Sequence, residues 1–149
     1  MRIIVDTNIV FSAILNSTSR IGKILLSSKG HFQFYICNYL RTEIQRHHNK
    51  LLKLTKLTED ELAELEELVT HNVTFIDERL LPEELLLKTE KLLKLIDPND
   101  TPFIALTKHL KGRLWTGDMQ LYNGLKSKRF KDIILTSELS LLLDDLKRN

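Results

Sequence analysis

Three carboxylates stand where a short apolar run gives way to polar residues or where a helix is about to begin, and a fourth, Glu43, falls in the second turn of the helix that follows the second strand. Asp6 directly follows Ile3-Ile4-Val5, Asp118 closes Trp115-Thr116-Gly117-Asp118, and Asp100 ends Asp97-Pro98-Asn99-Asp100. Glu43 is the only acid in the basic stretch from Arg41 to Lys56. Holding several carboxylates close together is unfavourable unless some are protonated or a cation neutralises them. An all-oxygen donor set, without cysteine or paired histidines at metal-binding spacing, suits a hard cation such as Mg²⁺ or Mn²⁺. Such an ion acidifies a bound water and stabilises charge on phosphoryl oxygens, as phosphodiester hydrolysis requires.

Each acid also has a plainer reading. An aspartate after a strand commonly caps a helix, and capping accounts fully for Asp100. Glu43 can pair with Arg46 or His47 on its own helix face. For any one acid alone the structural reading comes first; the chemical one gains only if folding brings the acids to one place. The histidines add little. His47 and His48 are adjacent, so on a helix they point about 100° apart and do not share an ion easily. His47 lies one turn beyond Glu43, within reach of a substrate there. His31, His71 and His109 belong to no motif and read as structural or surface residues. No His-Glu-x-x-His or glycine-rich phosphate loop occurs, and neither Cys37 nor any serine has the setting of a catalytic nucleophile.

The elements that must position these acids are legible in outline. With 149 residues, 42% hydrophobic and 28% charged, the chain can bury one core, and one domain spanning residues 1–149 is expected. A single cysteine excludes an internal disulfide. No stretch approaches the roughly 20 apolar residues of a membrane helix. Asp6-Thr7-Asn8 interrupts what would otherwise resemble a signal peptide, so a cytoplasmic protein without a membrane contact is expected.

Ile3 to Val5 is a short uninterrupted apolar run, the mark of a strand covered on both faces. Ile9, Val10, Ala13 and Ile14 recur at helical spacing, a second short helix fits Ser19 to Ser28, and Lys29-Gly30 stops it. Phe32 to Cys37 reads as a strand. Asn38 is the expected cap of a helix running to about Lys53, with Leu40, Ile44 and Leu51 inward. Thr58-Glu59-Asp60-Glu61 is a capping box opening a helix with Leu62, Leu65, Leu68 and Val69. These two helices predict an antiparallel hairpin. Val73 to Ile76 forms a third strand, and Pro82 starts a helix that Asp97-Pro98-Asn99-Asp100 breaks. Thr101 to Leu110 is helical, Arg113 to Thr116 and Ile133 to Leu135 are strands, and a terminal helix is capped by Thr136 or Ser137. Strands alternating with helices indicate an α/β domain with a mainly parallel sheet, whose ligands sit beyond the carboxyl ends of the strands. Asp6 and Asp118 must then emerge at one edge.

Val5-Asp6-Thr7-Asn8, Glu43, the run Asp97 to Leu106 (DPNDTPFIAL) and Leu114-Trp115-Thr116-Gly117-Asp118 together resemble the PIN-domain family, in chain order and over essentially the whole chain. The resemblance is nearest to the branch of toxins from toxin–antitoxin systems. It implies an α/β fold with a central, mainly parallel sheet of about five strands flanked by helices. It implies a Mg²⁺- or Mn²⁺-dependent ribonuclease, with the family's acids at Asp6, Glu43, Asp100 and Asp118 and an additional acid at Asp97. Asn8 and Thr116 fall on polar positions beside the acids, where they would orient carboxylates or water. The resemblance also implies an antitoxin groove involving the helical hairpin, and a homodimer.

The net charge of +2 conceals segregation. Arg41, Arg46, Lys50, Lys53 and Lys56 cluster before the acidic stretch Glu59 to Glu67, and Lys126, Lys128, Arg129 and Lys131 follow Asp118. Positive charge beside an acidic site would help hold RNA, so the second run and Arg46 are candidate RNA contacts; ordinary solvated surface is the alternative. Tyr122 and Phe130 could stack on a base or pack beneath the loop. Two rivals to a nuclease stand: a non-catalytic PIN-like module that binds RNA or protein, and a phosphatase or phosphotransfer domain with Asp6 as nucleophile. Against the latter, Asn8 stands where an Asp-x-Asp phosphatase places its second acid.

Overall fold

The computed structural model describes every residue except Lys29, which also leaves the expected stop after the second helix partly outside the described residues. Five strands, β1 (Arg2–Val5), β2 (Gln33–Cys37), β3 (Val73–Ile76), β4 (Arg113–Trp115) and β5 (Ile133–Ile134), form one sheet in the order β3-β2-β1-β4-β5. Every neighbouring pair is parallel. The central strand β1 pairs Ile3 with Phe34 on one side and with Arg113 on the other. Ile3, Ile4 and Val5 are completely buried, as an apolar strand covered on both faces must be. Gly112 leads into β4, where a Cβ would meet Ile4 Cδ1 at 2.6 Å and the Arg2 carbonyl oxygen at 2.7 Å. Only a residue without a side chain lets the chain pass so close to β1.

Among the described residues the helices are α1 (Thr7–Leu15), α2 (Arg20–Ser27), α3 (Tyr39–Arg46), α4 (His48–Thr55), α5 (Glu59–Thr70), α6 (Glu83–Leu93), α7 (Thr101–Leu110), α8 (Met119–Ser127) and α9 (Thr136–Arg148). Short 3₁₀ turns cover Glu78–Leu80 and Pro98–Asp100. Thr58 caps α5 in the expected reciprocal box with Glu61. No single helix among the described residues is long and apolar enough to cross a membrane.

Three local expectations are corrected. The helix expected from Asn38 to about Lys53 is broken at His47 into α3 and α4, and Asn38 makes no side-chain cap. The two side chains at the break have different attachments: the His47 ring packs edge-on to Phe11 of α1, while His48 Nε2 lies 2.6 Å from Glu59 Oε2 of α5. The expected helical hairpin is therefore three helices. At the terminal helix neither proposed hydroxyl caps: Leu135 occupies the cap position and its amide donates to Glu138, while the Thr136 hydroxyl accepts the Trp115 indole N–H at 3.0 Å.

The strand order carries the functional consequence. From β1 the chain steps outward to β2 and β3, then crosses back to add β4 and β5 on the other flank. Connections leaving β1 and β4 thus diverge, opening a crevice at the carboxyl ends of these two strands. Because α7 feeds β4 from the opposite direction, its N-terminus lies at that same edge.

Candidate metal centre

Asp6 leaves β1 at the head of α1, and Asp118 leaves β4 at the head of α8. Thr116 joins them: its hydroxyl donates to Asp6 Oδ2 at 2.9 Å and accepts the Asp118 amide at 3.1 Å. Asp118 Oδ1 also accepts the Leu121 amide, so this acid serves as a helix cap with its other oxygen left over. Asp97, Asp100 and Asp118 each offer a carboxylate oxygen, all within 4.8 Å of one another. Asp97 Oδ1 accepts the Asn99 amide in the 3₁₀ turn, which fixes the carboxylate beside Asp100.

The capping account of Asp100 does not hold. It occupies the cap position of α7 but makes no side-chain cap hydrogen bond. Burial pushes its carboxyl up to about 7, and the charges of Asp6, Asp97 and Asp118 push in the same direction. Asp6, 6% exposed, is likewise raised above the ordinary carboxylate value, first by burial and also by Asp118; the Thr116 hydroxyl and the nearby Asn8 and Thr7 amides act against the rise. These are carboxylates crowded at a cost that protonation or a cation relieves.

A cleft of about 740 Å³ opens from this edge, lined by Asp6, Asn8, Glu43 and Asp100 together with Arg46, His47 and Lys50. Glu43 stands in the second turn of α3 and carries both partners expected for it: Arg46 Nη1 at 2.9 Å from Oε1 and His47 Nε2 at 3.4 Å from Oε2. It therefore shares the cleft with the aspartates while being neutralised within its own helix. Asn8 is exposed on the cleft wall, and Thr116 is fully buried behind Asp6.

The donor set fits a hard divalent cation. All the clustered donors are carboxylate oxygens, and their mutual spacing matches ligands arranged around one ion at about 2.0–2.6 Å. A further observation agrees: Thr7 Oγ1 and Glu78 Oε2, buried oxygens without a hydrogen-bond partner among the described residues, both belong to residues lining this cleft. Buried polar atoms normally find partners. Asp97, Asp100 and Asp118, with Asp6 beside them, could hold an ion, and Glu43 could join from across the cleft.

Glu78 was not singled out from the sequence. It lies two residues beyond the end of β3, so the strand-end argument applied to Asp6 reaches it too. Cys37 is buried, and its thiol is pushed up by burial and by the Glu78 charge, which leaves it unsuited as a nucleophile.

The basic run does not flank the acids. α8 carries the chain from Asp118 back to the edge where the parallel strand β5 begins, so Lys126, Lys128, Arg129 and Lys131 lie at the opposite edge of the sheet. The cations on the cleft wall are Arg46 and Lys50. Tyr122 donates its hydroxyl to Glu138, and Phe130 packs against the core beneath the loop. His31, His71 and His109 are exposed.

The protein is thus a parallel α/β domain with an acidic crevice at its topological switch point. The chain belongs to the PIN-domain family, whose model matches residues 4–138. Its fold is similar to that of a chain of VapBC2 from Rickettsia felis, solved bound to a DNA fragment from their promoter. The TM-score is 0.66 at 17% identity, covering 91% of this chain and 97% of that one. No curated protein matches the sequence.

Proposed function

We propose that this chain is a Mg²⁺- or Mn²⁺-dependent endoribonuclease that hydrolyses RNA phosphodiester bonds in the acidic cleft. The observation that carries the reading is the convergence of Asp6, Asp97, Asp100 and Asp118 at one sheet edge, with Glu43 lining the same cleft. Asp6, Asp100 and Asp118 are the principal holders of the ion, with Glu43 and Asp97 completing the set. A divalent ion bound there supplies Lewis acidity, which acidifies a water and offsets charge on the phosphoryl oxygens. Thr116 fixes Asp6 against rotation and ties it to the loop bearing Asp118. Asn8 presents an amide to the cleft that can orient a water or phosphate oxygen. Arg46 and Lys50 supply the positive wall that offsets an RNA backbone near so many carboxylates.

We further read the protein as the toxin of a toxin–antitoxin pair, acting in the cytoplasm, homodimeric and bound by an antitoxin. The fold shared with a VapBC2 chain supports this. So does the apolar wall of the cleft, where Leu15 and Leu54 are 46% and 54% exposed beside Phe11 and Leu51. Exposed leucines at the rim of a polar cleft suit contact with a protein partner.

The test is incubation of the purified protein with a panel of structured and unstructured RNAs, in Mn²⁺ and in chelator. Cleavage that needs the ion and is lost in Asp6→Asn and Asp118→Asn is expected. Cutting that survives chelation would overturn the metal mechanism, and RNA binding without cutting would favour the non-catalytic module.

A further inference from the structure

Arg46 is the cleft cation that is paired with a cleft carboxylate and largely solvated at the same time. Its Nη1 lies 2.9 Å from Glu43 Oε1 and 3.3 Å from the Tyr39 hydroxyl, yet the side chain is 57% exposed while that of Glu43 is only 16% exposed. The other Glu43 oxygen faces His47, whose ring is held edge-on by Phe11 at a centroid distance of 5.6 Å. One partner of Glu43 is thus anchored in the wall, and the other is a long, solvated side chain held only by two exposed hydrogen bonds. A carboxylate already paired with a guanidinium attracts a divalent cation poorly, because the two cations compete for the same oxygen. The guanidinium fork is equally matched to a phosphate, which it can grip through two parallel hydrogen bonds.

We propose that Arg46 is a shared counter-ion, neutralising Glu43 in the ion-free cleft and passing to an RNA backbone phosphate when a divalent ion takes Glu43. The proposal rests on the reading of the cleft as a metal-dependent ribonuclease and adds a coupling to it. The ion releases Arg46 for RNA, and RNA that engages Arg46 releases Glu43 for the ion, so each ligand strengthens the other by the same factor. Arg46 is here a substrate-positioning residue, and its removal has opposite effects on the two ligands. A residue that merely braced α3 would weaken both.

The experiment titrates Mn²⁺ alone into the purified wild-type, Arg46→Gln and Arg46→Lys proteins by calorimetry, and measures kcat and KM for RNA cleavage separately. Without the competing guanidinium, Arg46→Gln is expected to bind Mn²⁺ about two- to fivefold more tightly, the worth of an exposed ion pair. Its KM for RNA rises while kcat is largely kept. Arg46→Lys retains a charge but not the fork, and falls between the two in both measurements. Arg46→Gln binding Mn²⁺ equally or more weakly than wild type would overturn the exchange while leaving the nuclease reading intact. Failure of the wild-type protein to bind Mn²⁺, with Asp100→Asn indistinguishable from it, would instead overturn the metal site itself.

Discussion

Thr116 donates its hydroxyl hydrogen to Asp6 Oδ2 across 2.9 Å, linking residues 110 positions apart in the chain. The Thr116 hydroxyl oxygen in turn accepts the Asp118 amide, so one buried side chain sets the rotamer of one acid and the loop of another. Thr116→Val keeps the shape and removes both bonds. It leaves a buried Asp6 oxygen without its donor, a loss of about 1–3 kcal/mol in stability, and lowers cleavage and Mn²⁺ affinity about ten- to a hundredfold. Thr116→Ser restores the hydroxyl and should recover most of both. Calorimetric Mn²⁺ binding and thermal unfolding of the pair check this, and equal behaviour of the two variants would contradict it.

Asp100 makes the ion-free protein sensitive to pH. Its folded carboxyl titrates at about 7 against an ordinary value of 3.8, so between those values the folded state holds more protons than the unfolded one. Stability contributed by the neutral acid is complete at low pH and is lost as pH rises toward about 7. Water reaches this acid and screens its neighbours, so the effect is on the order of 1 kcal/mol, or roughly 3 °C in melting temperature. Melting in chelator should therefore fall from about pH 5 to about pH 8 in wild type and less in Asp100→Asn. Added Mn²⁺ should raise the wild-type curve at the higher pH. An identical pH slope in the variant would show that Asp100 is not the strained acid.

What was legible in the sequence was what depends on neighbours in the chain. Ile3-Ile4-Val5 shows a two-sided strand without reference to anything distant, and the Thr58–Glu61 box is complete within four residues. Parallel strands then send Asp6 and Asp118 to one edge by topology alone. The features that escaped depend on partners far along the chain. The break at His47 accompanies contacts to Phe11 and Glu59, which no helical periodicity around residue 47 encodes. Thr136 looks like a cap until the Trp115 indole occupies its hydroxyl. Asp100 also looks like a cap, and only its burial among other acids separates it from one. Lys126 to Lys131 follow Asp118 closely in sequence, but a nine-residue helix carries them across the sheet.

That separation is itself testable. Replacing Lys126, Lys128 and Lys131 together by glutamine should leave the KM for a short oligoribonucleotide unchanged, because these side chains lie at the edge opposite the acids. Lys50→Gln, on the cleft wall, should raise it roughly two- to fivefold. Longer RNAs that pass around the molecule would feel both changes. A triple variant impaired on the short substrate would place the scissile bond elsewhere than the cleft.

Asp118 has two duties that substitutions can separate. Its Oδ1 accepts the Leu121 amide and caps α8, while its carboxylate also belongs to the cluster with Asp97 and Asp100. Asparagine caps a helix as well as aspartate does, so Asp118→Asn keeps the first duty and removes the charge that the second requires. Alanine removes both, at a cost of about 1 kcal/mol for the lost cap. In chelator, Asp118→Asn should melt no lower than wild type, since deleting one of several crowded negative charges relieves Asp6 and Asp100. Asp118→Ala should melt lower. Both should lose Mn²⁺-supported RNA cleavage and the stabilisation that Mn²⁺ gives the wild-type protein. If Asp118→Asn keeps that stabilisation, the ion is held without this carboxylate, and Asp118 is a helix cap alone.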